Sequence, residues 1–184
     1  GTIEGTAKNA GWLDIHMQPE RRNTVKVLLF LDIGGSMDPY VRVLEELFSA
    51  AKSEFKHLRH YYFHNCLYEG VWTDNARRWN EQTPTWEVLR SYGPDYKAIF
   101  VGDAAMSPYE ILHPGGASEH WNPEPGQLWL QRACLQWPHH LWINPTPEAY
   151  WPHTHSTRLI REIFGNAMVP MTLDGIARGI KQLR

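Results

Sequence analysis

The segment Val25 to Leu31, VKVLLFL, constrains this chain more than any other stretch. Apart from one lysine it is continuously apolar, and it is too short for a buried helix. Such a run belongs to a strand covered on both faces, as in parallel sheets sandwiched between helices. Asp32-Ile33-Gly34-Gly35-Ser36 follows as a glycine-rich turn. Asp38-Pro39 then offers an N-cap and a first-turn proline for a helix reaching about Ser53. In that helix Val41, Leu44, Leu47, Phe48 and Ala51 recur at helical spacing, with Arg42, Glu45, Glu46 and Lys52 on the other faces. Strand, tight turn and helix make the opening unit of an α/β domain.

The rest of the chain continues that alternation. Arg59 to His64 and Leu67 to Trp72 read as two short aromatic strands of a hairpin turning at Asn65-Cys66. Trp72 to Asn80 reads as a polar helical connector, and Thr83-Pro84-Thr85 as the start of a helix ending near Ser91, before Gly93-Pro94. Tyr96 to Val101 is a second buried strand, followed at once by Gly102-Asp103. Helices are expected over Glu124 to Gln136, Thr157 to Phe164 and Thr172 to Leu183, and strands over His140 to Ile143 and Ala167 to Pro170. The fold expected is a Rossmann-like three-layer α/β/α domain over residues 25–184. Its central sheet is mostly parallel, with the second hairpin strand as one antiparallel edge. Residues 1–24 carry Gly, Thr and Asn with little periodicity and read as a linker or the tail of a missing N-terminal region.

Composition narrows the function classes. A net charge of -2 with 21% charged residues gives no basic surface for nucleic acid or anionic membrane. No apolar run approaches the roughly 20 residues of a membrane-spanning helix. Two cysteines, Cys66 and Cys134, are too few for a disulfide framework and read as reduced, half-buried thiols, which fits a cytoplasmic location.

Open α/β sheets bind ligands at the carboxyl ends of their strands, and two acids stand there: Asp32 and Asp103. A hard divalent cation takes oxygen ligands and keeps several waters. Asp32 and Ser36 on one tight turn offer a carboxylate and a hydroxyl to a common point, Thr83 at a helix mouth a second hydroxyl, and Asp103 a second carboxylate. Any one of these residues alone reads more simply as a loop or helix cap. The four together, each at a strand end or helix start, point to a metal site.

These residues carry a resemblance. LLFLDIGGSMD resembles the metal-ion-dependent adhesion motif (MIDAS) of von Willebrand factor A (VWA) domains, an Asp-x-Ser-x-Ser that follows the first strand. Thr83-Pro84-Thr85 is similar to the family's Thr-x-Thr, whose first threonine meets the metal, and IFVGDAAM stands where the family has an apolar strand ending in Thr-Asp-Gly or Ser-Asp-Gly. The match spans roughly Val25 to Ile180 and is nearest the bacterial CoxE-like branch, whose members often work with MoxR-type AAA+ ATPases. The resemblance implies a VWA fold and Mg²⁺ (or Mn²⁺/Ca²⁺) held by Asp32, Ser36, Thr83 and Asp103. It implies a non-enzymatic role: binding a protein partner whose acidic residue completes the metal's coordination, with a MoxR-type ATPase as candidate. Two positions depart from the pattern. Gly34 stands where the motif has its first serine, which implies weaker metal binding, and Gly102 replaces a hydroxyl residue before Asp103.

Other readings compete for the same residues. Asp32-Ile33-Gly34-Gly35-Ser36 also looks like the phosphate loop of actin-like ATPases, but that loop sits in a β-hairpin and a helix follows here. Gly34-Gly35-Ser36-Met37-Asp38 imitates a hydrolase nucleophile elbow, making a serine hydrolase with Ser36 as nucleophile the alternative enzyme reading. His139-His140 and His153-Thr154-His155 lack the cysteine partners and spacings of structural zinc sites and read as packing residues. Finally, Pro108 to Pro125, rich in Gly, Pro and aromatics, reads as a recognition loop beside Asp103, with Tyr109, His113, Glu119, His120 and Trp121 as contacts.

Overall fold

The structure, a computed structural model, describes residues 25–183; the stretch read as a linker or N-terminal tail lies outside them. Five strands form the central sheet: β1 (Lys26–Asp32), β2 (His57–Phe63), β5 (Lys97–Val101), β6 (His140–Asn144) and β7 (Met168–Pro170). Their order is β2-β1-β5-β6-β7, and every pairing is parallel. Two short strands, β3 (Gly70–Val71) and β4 (Thr83–Pro84), pair antiparallel in a small separate sheet.

The apolar runs are buried on both sides because side chains alternate across a strand. Leu28, Phe30, Phe100 and Trp142 point into one core layer, and Val27, Leu29, Leu31, Val101 and Ile143 into the other. Helices α1 (Val41–Glu54) and α6 (Leu173–Gln182) close the second face through Leu44, Leu47 and Ile176. Helices α2 (Thr85–Ser91), α4 (Gly126–Gln136) and α5 (His155–Ile163) close the first through Val88, Leu130 and Ile160. A fifth, short helix, α3 (Pro108–Leu112), follows β5. The domain is therefore three-layered α/β/α, as the alternating pattern implied. The first face is built of aromatics: the Phe30 and Phe100 rings stack at 4.4 Å, and those of Phe100 and Trp142 at 5.8 Å.

Several local expectations are corrected. The hairpin reduces to two isolated antiparallel bridges, Tyr62 with Trp72 and His64 with Cys66, so the second hairpin strand does not join the central sheet and its edge on this side is β2, parallel to β1. The reason lies at Asn65, whose φ of 60° turns the chain out of the sheet, so that Leu67 and Tyr68 enter the core instead of alternating along an edge. The connector expected to be helical from Trp72 to Asn80 holds only a 3-10 turn, Trp79–Glu81. Thr83 lies in β4, and the helix starts two residues later at Thr85. At the first helix a 3-10 turn, Gly35–Tyr40, carries Pro39 and leads into α1. Tyr40 is the N-cap there, with no side chain capping it, so Asp38 does not have the expected role. The cap at Thr172 is as expected, its hydroxyl accepting from Gly175 N at 3.0 Å.

Candidate functional site

The chain leaves β1 to form β2 on one side, then crosses over β1 to form β5 on the other. That reversal puts the switch point of the sheet between β1 and β5, where two crossovers diverge and leave a crevice. Asp32 is the last residue of β1, paired with Phe63 of β2, while Leu31 pairs with Val101, so Gly102-Asp103 emerges beside it. Both carboxylates are buried, Asp32 at 0% and Asp103 at 3% exposure.

Asp32 is held asymmetrically. Its Oδ1 accepts from Gly34 N at 2.8 Å and from Asn65 N at 2.9 Å. Its Oδ2 is buried and accepts nothing. That oxygen faces Gly102, where a Cβ would come within 3.2 Å of it and within 3.0 Å of Asp32 Cβ. Glycine at 102 is thus what lets the Asp32 carboxylate sit against β5. Burial pushes the Asp32 carboxyl up to about 7; the Gly34 and Asn65 N–H groups pull it back, and the negative charges of Asp103 and Glu110 push it up again.

The Asp103 turn is fixed from below. Trp142 Nε1 donates to Gly102 O at 2.8 Å, and Asn144 Nδ2 to Asp103 O at 3.2 Å. Ala104, at φ 56°, offers its carbonyl to the hydroxyls of Ser156 (2.7 Å) and Thr157 (3.1 Å) at the start of α5. Asp103 Oδ1 accepts from Ala105 N at 3.1 Å. Two residues invisible to sequence reasoning complete the surroundings. Glu110, 6% exposed on α3, accepts from Asn65 Nδ2 at 3.1 and 3.4 Å. Asn65 therefore touches two of the three buried acids, 33 and 45 residues away in sequence.

Of the four expected ligands, Asp32 and Asp103 come together. Ser36 is exposed within the 3-10 turn, and Thr83 is half-buried on β4, paired with Val71. Neither hydroxyl bonds to Asp32 or Asp103 among the described residues. Thr85, its neighbour in the expected Thr-x-Thr, is buried and gives its hydroxyl to Tyr68 O at 2.5 Å. A cavity of about 90 Å³ abuts Asp32 and Gly34, walled by Met37, Leu44, Phe48 and Tyr62, and Ser36, Thr83 and Asp103 do not line it.

No family model, curated protein or solved structure matches the chain. Function must be read from the crevice itself. Among the described residues no three His, Cys, Asp or Glu side chains form a metal-ligating group. A cation at Asp32 would therefore depend on two carboxylates plus neutral oxygens and water, a donor set suited to Mg²⁺, Mn²⁺ or Ca²⁺ and not to zinc. The buried, unpartnered Oδ2 fits such an ion, because an ionised carboxylate oxygen in that position has nothing else to offset its lost hydration. Ser36 lacks the strained backbone of a nucleophile elbow: the non-glycine residues at positive φ among those described are Asn65, Arg77, Ala104 and Asn166.

The Pro108 to Pro125 segment is ordered by Asn122, which is fully buried. Its Oδ1 accepts from Ala117 N at 2.9 Å and its Nδ2 donates to Glu124 O at 2.9 Å. Tyr109 and Trp121 project to solvent, at 63% and 72% exposure. Glu119, although exposed, pairs with Arg77 and, at 3.6 Å, with His64, and half-buried His120 pairs with Glu69.

Proposed function

We propose that this chain is a metal-dependent protein-binding module of the von Willebrand factor A kind. Asp32 and Asp103 hold a Mg²⁺ ion (or Mn²⁺/Ca²⁺), with the hydroxyls of Ser36 and Thr83 as further ligands by resemblance to the family motif. A partner's acidic side chain completes the coordination, and Tyr109 and Trp121 on the neighbouring segment supply buried area at the docking surface. The observation that carries this reading is Asp32 Oδ2: a fully buried carboxylate oxygen without a hydrogen bond, at the switch point of a parallel sheet, beside a second buried carboxylate. A structural aspartate is normally satisfied on both oxygens when buried. The partner class suggested by the CoxE-like resemblance is a MoxR-type AAA+ ATPase.

Thermal unfolding tests the metal half of the proposal. A ligand that binds only the native state at 100 times its Kd adds about 2.7 kcal/mol of stability. Saturating Mn²⁺ should therefore raise the Tm of the wild-type protein, EDTA should reverse the rise, and Asp32→Ala combined with Ser36→Ala should abolish it. An equal rise in the double variant would place the ion elsewhere. For the partner, association with a purified MoxR-type ATPase should require Mg²⁺ and be lost in Trp121→Ala.

A further inference from the structure

Position 34 lacks the hydroxyl that the family motif would supply, yet the space is not empty. A Cβ built on Gly34 would lie 2.1 Å from Asn65 Oδ1 and 3.2 Å from Asp32 Oδ1. Gly34 has φ -66° and ψ 161°, a conformation open to any residue, so backbone strain does not demand glycine here. What demands it is the side chain of Asn65, just past the end of β2. We infer that Asn65 is itself a ligand of the cation, its amide oxygen standing in for the missing hydroxyl, and that Glu110 is the positioning residue that aims it.

Three observations converge on this assignment, which rests on the metal reading above. First, the orientation of the amide is set by its neighbour: carboxylate oxygens accept hydrogen bonds, and Asn65 turns its Nδ2 toward both oxygens of Glu110, at 3.1 and 3.4 Å. Oδ1 then lies against Gly34, the residue two past Asp32. Second, Oδ1 accepts no hydrogen bond among the described residues, while the two donors of Asn65 are engaged, its N–H with Asp32 Oδ1 at 2.9 Å and its Nδ2 with Glu110. Asn65 is half-buried, and its oriented, unbonded amide oxygen is open to a ligand. Third, the chemistry agrees: amide carbonyls, like carboxylates and water, are hard oxygen donors suited to Mg²⁺, Mn²⁺ and Ca²⁺. The chain adopts φ 60° at Asn65 to make the arrangement, a conformation asparagine tolerates better than most residues. A purely structural account would treat Asn65 as a strap from β2 to α3, in which Nδ2 matters and Oδ1 does not.

Mn²⁺ binding followed by electron paramagnetic resonance separates the two. Wild type should bind Mn²⁺ saturably at pH 8, and Asp32→Asn should lose that binding; failure here overturns the metal reading itself, whatever Asn65 does. Given that baseline, Asn65→Gly, which keeps the positive φ, should weaken the Kd by about tenfold or more, the scale of losing one well-placed donor. Gly34→Ser alone should not tighten binding, because its Cβ collides with Asn65 Oδ1. Gly34→Ser in the Asn65→Gly background should return the Kd close to wild type, the hydroxyl taking the place of the amide oxygen. An unchanged Kd in Asn65→Gly, or no rescue by the serine, overturns the inference. Should Asn65→Gly not fold, the exchange Asn65→Asp with Glu110→Gln preserves the hydrogen bond with its polarity reversed and adds a charged oxygen. Its Mn²⁺ Kd should be tighter than wild type, and an equal or weaker Kd overturns the inference.

Discussion

Replacing Asp32 by asparagine should change how stability depends on pH more than it changes stability at any one pH. The Asp32 carboxyl is fully buried, and burial raises it from 3.8 to about 7. A group whose folded-state value lies above its unfolded value favours the fold when protonated. That advantage is complete below about pH 4 and is lost as pH rises through about 7. At about 1.4 kcal/mol per pH unit, the loss across this window is on the order of 4 kcal/mol, a large part of the roughly 5–15 kcal/mol that holds an ordinary domain together. Asparagine has nothing to titrate. It does place an N–H where Oδ2 lies unpartnered against Gly102, at a cost of about 1–3 kcal/mol. Urea unfolding in EDTA, from pH 5 to pH 8, should therefore show wild type losing stability relative to Asp32→Asn, with the variant equal or more stable by pH 8. His60 and His64 are both held below the usual histidine range by burial. They are common to both proteins and cancel in the difference. Saturating Mg²⁺ should restore wild type at pH 8 and leave the variant unmoved, since a cation stabilises the ionised carboxylate that the crevice otherwise penalises. Parallel curves for the two proteins in EDTA would refute the reasoning, because the Asp32 carboxylate would then not be paying for its burial.

Two further substitutions probe the frame around the acids. Gly102→Ala puts a methyl group 3.0 Å from Asp32 Cβ and 3.1 Å from Trp142 Cζ2, and should cost about 1–3 kcal/mol in urea unfolding by overpacking. Thr85→Val removes the buried hydroxyl bonded to Tyr68 O and should cost about 1–3 kcal/mol, with Mn²⁺ affinity unchanged because this threonine faces the core, not the crevice.

The parts of this fold that were legible in the sequence are those where one segment suffices. VKVLLFL and YKAIFV read as two-face-buried strands because nothing polar interrupts them, and the acids that follow them had to lie at the carboxyl edge of a parallel sheet. Asp32 and Asp103 were visible for that reason. The hairpin was misread because RHYYFH and LYEGVW both alternate plausibly, whereas the φ of 60° at Asn65 sends Leu67 and Tyr68 into the aromatic core layer. Asn65 and Glu110 were invisible for a related reason. One sits on a turn read only as the end of a hairpin and the other on a five-residue helix, and only the fold brings them to Asp32. The collision waiting at Gly34 likewise depends on a side chain 31 residues away, so a serine there reads as an improvement in the sequence and as an obstruction in the structure.

The central claim is that a divalent cation sits between Asp32 and Asp103. The most direct measurement is a crystal structure of the protein soaked in Mn²⁺ at pH 8, with anomalous scattering recorded near the manganese edge. A single strong peak within coordination distance of Asp32 Oδ2, close to Asp103, is the result this account predicts. Saturating Mn²⁺ with no peak at the β1–β5 crevice, the fold being intact, would contradict it.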